Sequence, residues 1–283
     1  PSSRPRARTS GFPPRAEEAG GHPAAHSDGV TTTTYSRVNG SEFKHAEELF
    51  RTHLAPGLPA IIRLDGRAFH SYCRGLARPF DEQFMADMDA VAVALAQQVD
   101  GVRLVYVQSD EISLLLTDHI GDAVQGFMFG GQVQKLVSIT AAIASSTLNA
   151  RRLGTVTDKV ALFDARAFSL GGDAAVQRYF EWRQADARVN SLGMLASAHF
   201  SHQQLHGVST HDRATMLRSI DVEPDDLPAT FVHGRVVLRE PKQRTTTFFH
   251  RPTGRERTID FVRMEAFTDV APSFQNGLAD ATF

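Results

Sequence analysis

Two apolar, strand-like runs in this chain each end on an aspartate at a turn. The first is Ile61-Ile62-Arg63-Leu64-Asp65-Gly66-Arg67, and the second is Val107-Gln108-Ser109-Asp110-Glu111-Ile112. The fold is constrained by whether those two strand ends meet. Carboxylates brought side by side repel, which costs energy unless cations sit between them. Mg²⁺ is the natural cation for such a pair, because it takes hard oxygen donors and leaves room for substrate phosphates.

The order of elements answers the question. Residues 58–64 form a compact apolar run opened by Pro59 and read as a buried strand. The loop that follows carries Gly66, Gly75 and Pro79. Asp81 is placed to cap a helix running to about Val99, with Phe84, Met85, Met88, Val91, Ala92, Leu95 and Ala96 at helical spacing. Residues 102–107 are the next strand, 108–111 a tight polar turn, and 112–116 a third strand that closes a hairpin. After a looser segment, residues 117–131, come a helix from Gln132 to about Ala150 and a fourth strand over residues 159–163. Gly171-Gly172-Asp173 opens a third helix that runs to about Phe200. The order is β-α-β-β-α-β, an α+β fold in the ferredoxin-like arrangement.

That order decides the geometry. A right-handed crossover makes strands one and two parallel. Strand three folds back and lies antiparallel between them. Asp65 and Asp110 then share one edge of the sheet, where two Mg²⁺ ions about 3.5–4 Å apart would relieve the repulsion and clamp a phosphate chain. Asp-Gly after a strand is common turn chemistry, and Ser-Asp-Glu is an ordinary hairpin tip. The pair, brought together by topology, carries the signal.

Composition limits the classes further. The chain has 283 residues, 42% of them hydrophobic and 22% charged, which suits a globular protein with a sizeable core. The lone Cys73 can form no intrachain disulfide and no cysteine zinc cluster, so a reducing cytoplasm is expected. No apolar stretch is long enough for a bilayer, so no membrane partner is expected. The first residue is Pro1, which reads as a trimmed or incompletely defined N-terminus. Residues 1–34 are rich in Arg, Pro, Ser and Gly without an apolar h-region, which argues for disorder over a secretory signal. The net charge of −2 counts mildly against nucleic acid, although local patches matter more than the sum. One such patch is Arg239, Lys242, Arg244, His250, Arg251, Arg255 and Arg257 with Phe248 and Phe249; by residue type it reads as an ordinary solvated, strand-rich surface.

Four segments now occur in order: Arg63-Leu64-Asp65-Gly66-Arg67-Ala68-Phe69-His70, Gln108-Ser109-Asp110-Glu111, Phe163-Asp164-Ala165-Arg166, and Trp182-Arg183-Gln184-Ala185-Asp186. Over residues 43–217 the set resembles the tRNA(His) guanylyltransferase family and its bacterial and archaeal like-proteins. Four ordered motifs are far more specific than any one alone. The resemblance implies a polymerase-type palm that adds nucleotides to the 5′ end of tRNA in the 3′→5′ direction, activated by ATP or GTP. It implies that Asp65 and Asp110 are catalytic and bind two Mg²⁺ ions, with the backbone of Gly66 as a further metal ligand. Asp65, Gly66, Arg67, Ala68, Phe69, His70, Ser109, Asp110 and Asn190 would hold the nucleotide. Arg78 falls where the family has an activating Lys; it keeps the charge but is never a neutral nucleophile. Lys135 matches a phosphate-binding Lys, and the loop 117–131 would have to bring it back to the acidic edge. A homo-oligomer, a tetramer by resemblance, is also implied. The domains read as a disordered extension at 1–38, a palm-like catalytic domain at 39–217 and a strand-rich, tRNA-contacting extension at 218–283.

One departure matters. Where the guanylyltransferases carry His-Ile-Asn-Asn-Leu-Tyr-Asn, this chain has Arg188-Val189-Asn190-Ser191-Leu192-Gly193-Met194. Only Asn190 and Leu192 survive, which favours the like-proteins and template-reading repair of 5′-truncated tRNA over guanylation of histidine tRNA. Two other readings stand beside this one. A nucleotidyl cyclase-like palm enzyme would need no polynucleotide. A non-catalytic RNA-binding module shares the element order but stacks bases on sheet aromatics, and residues 102–116 offer only Tyr106. His199, His202 and His206 share one helical face, with His211 following, and suggest zinc by spacing, but they lack a Cys or carboxylate in register and read as solvated or RNA-facing surface. His70 is a triphosphate contact before it is a general base. Trp182 is expected to anchor the core.

Overall fold

The computed structural model describes residues 39–120, 123–154, 159–252, 254–269 and 274; the expected extension at 1–38 lies outside them. The chain divides into two units, Pro1–His45 and Ala46–Phe283. The described part of the first is the start of α1 (Ser41–Glu48), where the Asn39 side chain accepts a hydrogen bond from the Ser41 amide at 3.1 Å.

The second unit begins with β1 (Ala60–Gly66) and the single turn α2 (Phe69–Tyr72), followed by α3 (Glu82–Gln98). A hairpin of β2 (Val102–Gln108) and β3 (Glu111–Leu116) leads through the small β4 (His119–Ile120) and β5 (Ala123–Val124) pair to α4 (Val133–Arg152). Then come β6 (Phe163–Ser169), the long α5 (Asp173–His199), and the short α6 (His202–Leu205), α7 (Thr210–Arg218) and α8 (Ala229–Val232). β7 (Arg235–His250) and β8 (Arg255–Asp269) close the chain order.

The six long strands form one sheet in the order β6-β1-β3-β2-β7-β8. β3 lies between β1 and β2, antiparallel to both, with Leu64 opposite Ile112 and Val107 opposite Ile112. One face is covered by α3 and α4 around Ile62, Leu64, Val105, Leu114, Met88, Leu95 and Leu136, all fully buried. The other face is covered over part of its width by α5, through Ile61, Leu104, Tyr106, Leu115, Val176 and Phe180. Each large aliphatic side chain so buried contributes roughly 1.5–3 kcal/mol. α3 starts where Asp81 predicts it: the carboxylate accepts the Phe84 amide at 2.8 Å. The helix is tied to the end of α4 by buried Asp87, which pairs with Arg151 at 2.8 Å and Arg152 at 3.0 Å.

Three expectations need correction here. The fourth strand is not 159–163 but Phe163–Ser169. Val160 and Leu162 are exposed, and the strand instead alternates, with Phe163, Ala165 and Ala167 facing the core of α3 and α4. An edge strand shows one apolar face, so its apolar residues are spaced rather than consecutive. Next, the histidines do not share one helix. The chain breaks at Phe200, putting His199 on α5 and His202 on α6, and all four are exposed. Among the described residues no group of three His, Cys, Asp or Glu is arranged to hold a metal ion. Finally, Trp182 does not anchor the core; it is 54% exposed.

The segment after Leu217 is structurally part of the sheet, because β7 pairs with β2 from Leu104↔Leu238 to Val107↔Arg235. Its entry is fixed by Gly234, whose φ is +76° and where any Cβ would lie 2.5 Å from the Tyr106 ring. β8 pairs with β7 all the way from Val236 to His250, so the two strands run on beyond β2 as a two-stranded ribbon.

Candidate active site

The site is built at the edge where β1 ends and the β2–β3 hairpin turns. Asp65 is the penultimate residue of β1. The hairpin closes through Ser109 and Asp110, with Gln108 opposite Glu111 and Ser109 in the left-handed region at φ 48°. The contact at Gly66 shows how close the two segments come. A Cβ built there would stand 2.8 Å from Asp110 Oδ2 and 2.4 Å from the Phe69 ring. Only glycine leaves room for the Asp110 carboxylate to close on the β1 backbone.

The electrostatics agree. Burial pushes the Asp110 carboxyl from 3.8 up to about 6, and repulsion from Asp65 adds to the rise, against hydrogen bonds from its own backbone and the Ser109 hydroxyl. Burial also raises the Glu111 carboxyl, while Arg183 holds it back. Arg183 Nε lies 3.1 Å and Arg63 Nε 4.0 Å from the Glu111 carboxylate, and the Gln108 side-chain amide donates to it at 3.1 Å. Glu111 is therefore offset by guanidinium groups, whereas among the described residues Asp110 has no ion pair. Asp65 faces Asp164 directly across the β1–β6 pairing, and Asp164 is paired with Arg166 at 2.9 Å. Asp164, Arg63 and Glu111 lie within the sequence motifs, but only strand register brings them to this face, where Arg183 joins them from α5.

The other sequence-derived residues divide. The Arg67 amide donates to the Leu162 carbonyl at 2.8 Å, leaving its exposed side chain on the loop. Ala68 sits in the left-handed region at φ 56° and opens α2. Phe69 is buried against Tyr72, Phe84 and Phe163, so its ring supports the loop from the core. His70 is exposed, with Nδ1 3.4 Å from the Ser71 hydroxyl. Arg78 is exposed just before α3, beside an open hollow of about 590 Å³ lined by Ala77, Phe80, Asp81, Glu82 and Gln83. Asn190 lies on α5, donating to Asp186 at 3.2 Å; Asp186 in turn accepts from Arg183.

Lys135 is not brought to this edge. It lies in the first turn of α4, its ammonium 5.8 Å from the Phe129 ring. The start of α4 is held at the opposite end of the sheet, where the Val133 amide donates to Thr52 at 2.9 Å and Leu54 donates to Gly131 at 2.9 Å. Ser145, whose hydroxyl accepts the Phe163 amide at 3.1 Å, lies at the acidic end, roughly 15 Å further along the helix. The loop 117–131 ties down to the β1 entry instead of swinging back, with Gly57 donating to Asp118 at 2.7 Å. Lys159 does reach the edge: its ammonium donates to the Ser71 carbonyl beside His70.

A sequence model of the family described as "Thg1: tRNAHis guanylyltransferase" matches residues 40–171. A bacterial tRNA(His) guanylyltransferase-like protein solved in complex with ATP is 35% identical, over 71% of this chain and 88% of that one, with a TM-score of 0.67. Another, solved in complex with GTP, is 28% identical over 85% of this chain and 95% of that one, with a TM-score of 0.63. The probable tRNA(His) guanylyltransferase of Drosophila melanogaster is 25% identical over 66% of this chain and 69% of its own length. Among the described residues no helix is long and apolar enough to cross a membrane. A paired-carboxylate edge on an antiparallel sheet, carried by a chain this similar, leads to one conclusion: the protein belongs to the tRNA(His) guanylyltransferase family and is an enzyme of that kind.

Proposed function

We propose that this enzyme adds nucleotides to the 5′ end of tRNA in the 3′→5′ direction, on a ferredoxin-like, polymerase-type palm. The observation that carries the reading is the closure of Asp110 on Gly66, with Asp65 near enough to raise its carboxyl. Two carboxylates from distant segments lie close enough to repel, and among the described residues no cationic side chain pairs with Asp110. That donor set suits two Mg²⁺ ions: both carboxylates and the Gly66 carbonyl are hard oxygens at a partly open edge. When bound, the metal supplies Lewis-acid activation of the attacking hydroxyl and charge neutralisation on the leaving group.

The chain's own residues bind and orient. Ser109, the Arg67–His70 loop and Asn190 line the approach to the carboxylates, with His70 and Arg78 exposed to meet phosphate. ATP or GTP would activate a 5′-monophosphate on the RNA by transferring its nucleoside monophosphate to it, with pyrophosphate leaving. The 3′-hydroxyl of the incoming nucleotide then attacks that 5′ phosphorus, forming a phosphodiester and releasing the activating group. Positioning and charge do most of this work, with no covalent role needed from the protein. Loss of the His-Ile-Asn-Asn-Leu-Tyr-Asn motif around Asn190 favours template-directed 5′ repair over guanylation of histidine tRNA.

The C-terminal ribbon supports a tRNA partner. Register places Arg257 opposite Phe248 and Ile259 opposite Thr246. Alternation then sorts Arg244, Arg255, Arg257 and Phe248 onto one exposed face, and Thr245, Thr247, Phe249, Glu256 and Thr258 onto the other. A cationic face with an aromatic suits an RNA backbone, even though the chain's net charge is −2. A homotetramer and a cytoplasmic setting belong to the same proposal, from the family resemblance and the lone free Cys73.

The test incubates purified protein, Mg²⁺, ATP and labelled GTP with full-length and 5′-truncated tRNAs. Label should enter the 5′ end of truncated tRNA according to Watson–Crick pairing, and Asp65→Ala or Asp110→Ala should abolish it while the circular dichroism spectrum stays native. Near-normal transfer by either variant would refute the assignment. Cyclic products from nucleotide alone would point to a cyclase.

A further inference from the structure

The long helix α5 lays one aromatic side chain outside the core. Its neighbours Tyr179, Phe180 and Arg183 are buried, yet Trp182 is 54% exposed. An indole so exposed forfeits most of the burial that makes tryptophan stabilising, so packing does not explain its position. Its surroundings are cationic. The Arg183 guanidinium stands 4.0 Å from the ring centroid, and Arg63 stands at 5.9 Å, near the outer limit of such contacts. Tyr179 meets the ring edge-on at 5.9 Å and is itself fixed by a 2.8 Å hydrogen bond with Ser113.

The position relative to the acidic edge matters as much. Arg63 lies two residues before Asp65 on the same face of β1. Directly opposite it is Arg166, whose side chain is half exposed. Arg183 is held by Glu111, the residue after Asp110, and by Asp186. Trp182 therefore stands against two guanidiniums near the acidic edge, with Arg166 across the strand pairing from Arg63. Arg183 is locked against the ring by its own ion pairs. A residue 54% exposed, with Arg183 held against its ring, retains surface for a second planar partner. An aromatic flanked by arginines is how nucleobases are stacked while their phosphates are steadied.

We propose that Trp182 is a stacking residue that grips a nucleobase at the reacting end, with Arg63 and Arg166 on the adjoining phosphate. This rests on the nucleotidyl-transfer reading and deepens it by naming the base contact. The base could belong to the tRNA end or to the incoming nucleotide; the shared chemistry is a nucleobase with phosphate beside it.

Trp182 is the single tryptophan of the chain, so its emission reports on this contact alone. Wild-type protein is titrated separately with a 5′-truncated tRNA, with GTP and Mg²⁺, and with tripolyphosphate, which has no base. Saturable quenching is expected with the tRNA or with GTP, and the arm that quenches identifies the source. Trp182→Ala should weaken binding of that ligand by roughly 5- to 150-fold. Trp182→Phe should restore most of the loss, with both variants melting close to wild type. Emission unmoved by saturating tRNA and GTP, or moved equally by tripolyphosphate, would overturn the proposal. Emission that changes only on protein dilution would overturn it too, by placing a second copy on the ring. Nucleotide addition with an unresponsive Trp182 defeats the stacking contact alone. A responsive Trp182 with no nucleotide addition defeats the transfer reading instead.

Discussion

Replacing Asp110 with Asn should stabilise the metal-free protein while destroying its activity. Burial and the nearby Asp65 raise the Asp110 carboxyl from 3.8 to about 6. The folded state therefore holds the proton more tightly than the unfolded chain does. Stability from this group is fully present below pH 3.8 and is lost as pH rises through about 6. A rise of that size corresponds to about 3 kcal/mol before allowance for partial exposure, and about 2 kcal/mol after it. Asn keeps the shape and removes the charge, so the variant should be more stable at pH 8 by that amount. For a chain of this length the gain is about 3–4 °C in melting temperature. Urea unfolding of both proteins at pH 4.5, 6 and 8, with chelator, measures it. The gap should be widest at pH 8 and shrink toward pH 4.5. Added Mg²⁺ should stabilise the wild type and leave Asp110→Asn unmoved. A gap that is absent at pH 8, or that does not narrow on acidification, would refute the electrostatic argument.

Other substitutions probe separate parts of the account. Gly66→Ala drives a Cβ to 2.4 Å from the Phe69 ring and 2.8 Å from Asp110 Oδ2; it should cost about 1–3 kcal/mol by overpacking and lower kcat roughly 100-fold by displacing a carboxylate, both read from unfolding and turnover. Asp87→Ala leaves Arg152, whose side chain is 5% exposed, without its buried carboxylate, and should cost about 3–5 kcal/mol in unfolding experiments. Arg255→Glu with Arg257→Glu should weaken tRNA binding and reduce the slope of log affinity against log salt by about 1–2, with GTP binding unchanged; an unchanged slope would remove the ribbon from the RNA contact.

The sequence-based reading succeeded where one local pattern implied a global one. Asp65 and Asp110 stand far apart in the chain, yet the β-α-β-β order alone placed β3 between β1 and β2, which brings both to one edge. The cap at Asp81 was likewise local chemistry and holds at 2.8 Å. Features that depend on long-range pairing were hidden. β6 was displaced toward an apolar run because an edge strand exposes half its residues. Lys135 looked like a site residue by motif, but the anchoring of residues 52–54 against the start of α4 keeps it away. Asp164 sat in a recognised motif with no role until register set it opposite Asp65. Residue type places Trp182 in the core, and only the path of α5 over the sheet shows it exposed beside Arg183. The length of the β7–β8 ribbon was invisible for the same reason, since each strand is defined by its partner.

The central claim is that two remote carboxylates jointly hold divalent cations. Calorimetric titration of Mn²⁺ into the chelator-treated protein with GTP present tests it, using wild type, Asp65→Asn and Asp110→Asn. Binding by the wild type and its loss in each single variant, with every variant still folded, is the expected result. Metal affinity unchanged by either substitution would contradict the account.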